Sequence, residues 1–280
     1  MTTLNPIAIE DLVRRALMED IGPGDITTEA TIPADKQCTA VMLAKEEGVV
    51  CGHPLAQAAF RTLDPTLTYE ILIPEGSVVT PGTQVARISG NARSILTAER
   101  VALNFMQRMS GIATTTRKLA DKIKYYHARL VETRKTTPGL RLIEKYAVRV
   151  GGALNHRYGL HDAILIKDNH IAVAGGVRKA VHAARKVVSH TTRIEVEVES
   201  LEQLQEALES GADIILLDNM DPEMMKKAVE ITAGKAILEA SGGITAENLE
   251  DVARTGVDII SLGVLTHSVK AMDLSLDVEL

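Results

Sequence analysis

The sequence predicts an α/β chain in two parts, an α+β region over residues 1–110 and a (β/α) barrel over most of the remainder. Short apolar runs (RLVET, AILIKD, RIEVEV, DIILLD, AILEAS, DIISLG) alternate with helical patterns such as GVRKAVHAARKVV, LEQLQEALES and AENLEDVART. Alternating β and α elements imply parallel strands, and at least six of them favour a barrel over an open doubly wound sheet. Before residue 110 the β-like stretches are instead short and broken by Gly and Pro.

Taken in order, an amphipathic helix is expected near residues 7–19, followed by strands at CTAVMLA and LTYEILI. IPEGSVVTPGTQVARISG reads as a hairpin-type run and resembles the lipoyl/biotinyl carrier pattern. Residues 74–90 contain no Lys for a cofactor to be attached to, so the likeness is architectural. A long helix is expected near 95–122, with Val101, Phe105, Met109 and Ile112 apolar and Arg100, Asn104, Arg108 and Gly111 forming one polar edge. Each later apolar run and the helical pattern after it then make one βα unit.

Composition bounds the function. The 280 residues are 45% hydrophobic and 24% charged, as in ordinary globular proteins. With no Trp, two Phe and five Tyr there is little from which to build a nucleic-acid stacking platform, and a net charge of −6 disfavours polyanions. Two cysteines, Cys38 and Cys51, make no disulfide framework and fit a reducing, cytoplasmic compartment. No run approaches a membrane span, and Glu10, Asp11, Glu19 and Asp20 sit where a targeting peptide would avoid acids. No P-loop, strand-linked GxGxxG or HExxH is present. Charge is uneven, because residues 100–167 hold fourteen Lys or Arg against four Asp or Glu.

In the barrel reading nearly every strand ends on a polar residue: Arg134 and Lys135, Lys167 and Asp168, Glu197, Asp218, Glu239 and Ser241, Ser261 and Gly263. Active sites of (β/α) barrels assemble at this end, and buried strand ends do not hold unpartnered charge cheaply. Early ends and loops supply cations (Arg134, Lys135, His156, Arg157, Lys167), which suit an anionic substrate. Middle ends supply Glu197 and Asp218, hard oxygen ligands for Mg²⁺ alongside phosphates. Late ends supply backbone amides through Ser241-Gly242-Gly243 and Leu262-Gly263, each expected to lead into a helix and favour phosphate. Blander readings stand beside these: Gly-Gly before a helix is often only turn chemistry, and His156 is compatible with a satisfied loop histidine. Glu195, Glu197 and Glu199 share one strand face, so spacing leaves open which of them meets a metal.

At TAERVALNFMQRMSGIAT, ETRKTTPGLRLIEKYAVRVGGALNHRYGLHDAILIKDNH, EVEVES, ILLDN and LEASGGI, and at EDIGPGDITT near the start, the chain resembles the quinolinate phosphoribosyltransferases, over nearly its full length. The resemblance implies an N-terminal α/β sandwich domain (1–110), an incomplete (β/α) barrel carrying catalysis (111–267) and a tail of about residues 268–280 packing back on the first domain. It implies Mg²⁺-assisted transfer of phosphoribosyl from phosphoribosyl pyrophosphate to quinolinate with decarboxylation, in NAD synthesis. It further implies a homodimer with sites between subunits. Lys135, Glu197 and Asp218 match the catalytic positions, and Arg134, His156, Arg157 and Lys167 the quinolinate pocket. Arg100 matches a position reaching the site from the neighbouring subunit, and Ser241, Gly242, Gly243, Leu262, Gly263 and His267 match further substrate-binding positions.

Three other readings compete. Lys167 at a strand end, with a phosphate cradle on later strands, is also what a Schiff-base aldolase on a barrel offers, although its lysine should lie in an apolar pocket. A non-enzymatic binding module would leave the convergence of metal, phosphate and anion residues without a purpose. A family relative acting on another pyridine or molybdenum-linked substrate is the nearest alternative.

Overall fold

A computed structural model describes residues 4–279; Met1–Thr3 of the expected first domain and Leu280 of the expected tail lie outside the described residues. The first elements are α1 (Pro6–Ile21), α2 (Ile26–Thr31), β1 (Gln37–Ala44), β2 (Gly48–Val49), α3 (His53–Leu63), β3 (Thr68–Ile71), β4 (Val78–Val79), β5 (Gln84–Asn91) and the long α4 (Ala92–Lys122). Then follow β6 (Arg129–Val131), α5 (Arg141–Gly151), β7 (Ile164–Ile166), α6 (Asp168–Ala174), α7 (Val177–Val187), β8 (Ile194–Val198), α8 (Leu201–Glu209) and β9 (Ile214–Asp218). The chain closes with α9 (Pro222–Thr232), β10 (Ile237–Ser241), α10 (Leu249–Ala253), β11 (Ile259–Ser261), α11 (Val264–His267) and β12 (Leu274–Glu279). Among the described residues no helix is long and apolar enough to cross a membrane.

The chain separates into two compact units. One comprises the chain up to Arg117, Leu142–Gly152 and the stretch from Ser268; the other comprises Lys118–Arg141 and Ala153–His267. In the first unit, β12, β1, β5 and β3 form an antiparallel sheet in that order, so the C-terminal strand lies beside β1, pairing Ala44 with Leu274 and Thr39 with Glu279. The run expected as a hairpin does not pair with itself: β4 pairs with β2, whereas β5 joins the larger sheet. The Thr80–Thr83 turn, with Gly82 at φ 87°, redirects the chain so that Val85, Ala86 and Ile88 are buried in that sheet.

Helix α4 buries Ile95, Ala98, Ala102, Met106, Met109, Ile112 and Ala113 at three- and four-residue steps. Its Arg108, expected on a polar edge, donates from Nε to the fully buried Glu144 of α5 at 2.9 Å. Gly151 of α5 lies so close to α4 that a Cβ there would come 2.5 Å from Thr116 Cβ. These contacts are why α5 groups with the first unit although it falls between two barrel strands in sequence.

Gly111 in mid-helix has a similar cause, because a Cβ would meet the Lys270 carbonyl at 2.2 Å. Gly111→Ala gains about 1 kcal/mol of helix propensity but forces backbone apart. The clash should dominate and cost about 1–3 kcal/mol net in denaturant unfolding, since the obstructing atom is main chain and cannot swing away. An unchanged or raised unfolding midpoint would show that the tail does not lie against α4.

The second unit is a parallel sheet in the order β6-β11-β10-β9-β8-β7, with helices α7 to α10 between successive strands from β7 onward. Strands such as IILLD are almost continuously apolar because parallel strands are covered on both faces. Asp213 accepts from the Ile194 amide at 2.7 Å and Asp258 from the Leu238 amide at 2.8 Å, aligning neighbouring strands at their N-terminal ends. Six strands leave the barrel incomplete between β6 and β7. Leu154 bridges to Val131 on one side of this gap, and Arg157 Nη1 donates to Ala163 O, just before β7, at 3.1 Å.

Candidate active site

The C-terminal ends of the parallel strands surround a cavity of about 640 Å³ lined by Arg134, Lys135, His156, Arg157, Lys167, Glu197, Asp218, Ser241, Gly242 and Gly243, with Thr133, Asn219, Glu239 and Ser261 among its other walls. Twelve of the residues singled out in the sequence, Glu239 and Ser261 included, thus share one space. Leu262, Gly263, His267 and Arg100 are not among its walls. A Cβ on Gly263 would come 2.8 Å from His267 Cδ2 and 3.3 Å from Lys135 Cδ, so these three form one cluster. Arg100 is on α4, in the first unit.

Arg134 and Lys135 lie three and four residues beyond the end of β6, in a loop held by its own polar groups. Lys135 N donates to Thr133 Oγ1 at 3.1 Å, and the buried Thr266 hydroxyl donates to Lys135 O at 2.8 Å. Glu132, fully buried, accepts from Asn155 Nδ2 and from the His156 amide, tying the β6 end to the loop that carries His156 and Arg157. The Nε atoms of both Arg134 and Arg157 are buried without a hydrogen-bond partner. Burial, and then the charge of Arg134, pulls the Arg157 guanidinium below its ordinary value. Two crowded cations lining one cavity are suited to a multiply charged anion.

The glutamates of β8 divide. Glu195 and Glu239, both nearly buried, face His156 Nε2 at 3.3 and 3.4 Å. Burial pulls the imidazole down, but the hydrogen bonds and charges of the two glutamates outweigh it and push it up to about 10. The Arg157 amide donates to Nδ1 at 2.8 Å, a bond the imidazolium gives up, so Nε2 carries the proton in either state. Burial and the neighbouring Glu239 raise Glu195, against the opposing pull of His156. Glu197 lines the cavity and accepts from Lys167 Nζ at 2.6 Å, while Glu199 is exposed. Lys167, its side chain 47% exposed beside a carboxylate, lacks the apolar pocket of a Schiff-base lysine.

Asp218 is raised by burial and then by the charge of Glu197, a tension only partly relieved by Lys167. Two carboxylates on adjacent strands that are short of positive charge fit a hard divalent cation. The glycine loop differs from expectation, because Ser241-Gly242-Gly243 does not open a helix and α10 begins only at Leu249. Gly242 and Gly243 have φ 82° and 60°, left-handed values that a right-handed helix cannot continue. Leu262-Gly263 does lead into a helix, the four-residue α11.

The family model described as quinolinate phosphoribosyl transferase, C-terminal domain, matches residues 112–277, and that of the N-terminal domain matches residues 25–110. The chain belongs to the quinolinate phosphoribosyltransferase family. It is 44% identical over 277 residues to a probable nicotinate-nucleotide pyrophosphorylase (carboxylating) of Bacillus subtilis, covering 99% of this chain and 96% of that one. It is 45% identical to the chloroplastic nicotinate-nucleotide pyrophosphorylase (carboxylating) of Arabidopsis thaliana, over 97% of this chain and 83% of that protein. The nicotinate-nucleotide pyrophosphorylase structure from Francisella tularensis matches with a TM-score of 0.95 at 44% identity, covering 99% of this chain and 98% of that one. Family membership agrees with the expected α/β class, an N-terminal sheet domain followed by a parallel barrel sheet.

The sequence reading missed Glu132, Asn155, Asn219 and Thr266. Glu132 and Asn219 carried only the signal of adjoining a strand end, and Asn155 and Thr266 carried none, since what each does depends on which neighbour the fold delivers.

Proposed function

We propose that the protein transfers phosphoribosyl from phosphoribosyl pyrophosphate to quinolinate with decarboxylation, giving nicotinate mononucleotide, pyrophosphate and CO₂ in NAD synthesis. It is then a pentosyltransferase and works as a homodimer, with the barrel part, residues 111–267, as its catalytic domain and residues 1–110 as the accompanying sandwich domain. The observation that carries the reading is the convergence of two guanidiniums, Arg134 and Arg157, with Lys167 and His156 on one cavity. Quinolinate brings two adjacent carboxylates, the charge and geometry such a clamp requires.

The division of labour follows from placement. Arg134, Arg157, His156 and Lys167 hold the pyridine dicarboxylate and orient its ring nitrogen toward the ribose. Ser241, Gly242 and Gly243 offer backbone to phosphate, with Leu262, Gly263 and His267 as a further phosphate-side group next to Lys135. Breaking the anomeric bond builds positive charge on the ribose and negative charge on pyrophosphate, and Lys135 stabilises the latter. Glu197 and Asp218 would hold Mg²⁺, which would supply charge neutralisation for the departing diphosphate. After transfer the quaternised ring nitrogen stabilises the carbanion left by CO₂, which takes up a proton from water to give nicotinate mononucleotide, so no covalent enzyme intermediate is required. The cluster of His156, Glu195 and Glu239, with ligand atoms within 4.8 Å of one another, is assigned to the quinolinate side, because the imidazole stands 3.3 and 3.4 Å from the two carboxylates and is held by them.

Asp218→Ala separates the two sets. It should weaken Mg²⁺-dependent binding of phosphoribosyl pyrophosphate by at least about tenfold, or about 1.4 kcal/mol, and keep quinolinate affinity within a few-fold. Calorimetric titration of each ligand with and without Mg²⁺ distinguishes the outcomes. Equal loss of both ligands, or loss of neither, would contradict the assignment of Asp218.

A further inference from the structure

Asp218 is followed by a residue in an unusual conformation. Among the described residues Asn219 (φ 54°) and Ala233 (φ 46°) are the non-glycine residues with positive φ. Ala233 has an ordinary reason, since it caps α9 by donating its amide to Val229 O. Asn219 caps no helix; it leaves a strand end and lines the cavity. Asparagine tolerates the left-handed region better than most residues, yet the conformation still has to be held by its surroundings.

Two hydrogen bonds and one shape match hold it. The Asn219 backbone amide donates to Ser241 O on the neighbouring strand at 3.0 Å. Its side-chain Nδ2 donates to Asp218 Oδ2 at 2.8 Å, the orientation a carboxylate acceptor demands of an amide. Its carbonyl side fills the space above Gly242, where a Cβ would lie 2.2 Å from Asn219 Oδ1 and 2.6 Å from Cγ. One side chain therefore touches both the carboxylate at the end of β9 and the loop at the end of β10.

We propose that Asn219 is a positioning residue: its amide fixes the Asp218 carboxylate and sets that carboxylate's spacing from the 241–243 loop, so that a diphosphate ester and its divalent cation meet a preformed frame. The inference rests on the functional reading above, in which Asp218 acts through the cation and the loop faces phosphate. In Asn219→Gly the backbone keeps a permitted φ while the amide is lost, so the fold should survive, which thermal unfolding checks.

The test is a double-mutant cycle, read by calorimetric titration of phosphoribosyl pyrophosphate plus Mg²⁺, and of quinolinate, into the full-length wild type, Asn219→Gly, Asp218→Ala and the double variant. Asn219→Gly should weaken Mg²⁺-dependent binding by about ten- to a hundredfold, the loss of one hydrogen bond to a charged group, and leave quinolinate within about twofold. In the Asp218→Ala background the same change should add less than about twofold, because a residue acting through Asp218 has nothing left to act on. In turnover, Asn219→Gly should raise KM for phosphoribosyl pyrophosphate more than that for quinolinate. Undiminished binding, equal loss of both ligands, or a full further loss in the Asp218→Ala background would each overturn the proposal; the last would make Asn219 a direct ligand contact. If wild type binds phosphoribosyl pyrophosphate with no dependence on Mg²⁺, the functional reading fails first and the inference falls with it.

Discussion

Arg157→Ala should lower kcat/KM for quinolinate by roughly 30- to 1000-fold, about 2–4 kcal/mol, in a steady-state assay. On the proposed assignment, truncation removes charge-assisted bonds to a carboxylate in a site where burial and Arg134 already burden the guanidinium. Arg157 also donates to Ala163 O, so truncation relaxes the loop as well as removing the charge. Arg157→Lys separates the two contributions: it keeps the charge, gives up the planar fork, and should recover only part of the activity. A near-wild-type Arg157→Ala enzyme would remove this residue from the substrate pocket.

The proposed shared site predicts an equally large effect of a different kind. Arg100→Ala and Lys167→Ala chains should each be nearly inactive alone. Mixed in equal amounts and allowed to exchange, half the dimers become heterodimers, and each of these joins an intact Lys167 to an intact Arg100 at one of its two sites. About a quarter of wild-type site activity should then return, as symmetry and random pairing require. If subunits exchange and no activity returns, Arg100 does not act across an interface.

How much of this was legible in the sequence follows from the range of each interaction. Apolar runs bounded by turns located the barrel strands, because parallel strands covered on both faces have few alternatives to VIL-rich segments. Polar strand ends located Lys167, Glu197, Asp218 and Ser241, since direction along a strand fixes which end a residue occupies. Partners brought by long-range closure were not legible. The approach of Glu195 and Glu239 to one imidazole needs β8 and β10 placed either side of β9 and the 154–163 loop laid over them. The burial of Glu144 against Arg108, and the left-handed exit of Gly242 and Gly243 where a helix start was expected, likewise depend on three-dimensional neighbours. The hairpin expected over residues 73–90 failed for the same reason, its local pattern being satisfied by two different sheets.

The reaction is read out whole by incubating the protein with quinolinate, phosphoribosyl pyrophosphate and Mg²⁺ and measuring nicotinate mononucleotide, pyrophosphate and CO₂ together. All three should form in equal amounts, dependent on Mg²⁺, with no turnover when nicotinate replaces quinolinate at the same concentration. Absence of nicotinate mononucleotide from quinolinate, or equal turnover of nicotinate without CO₂ release, would contradict the proposed function.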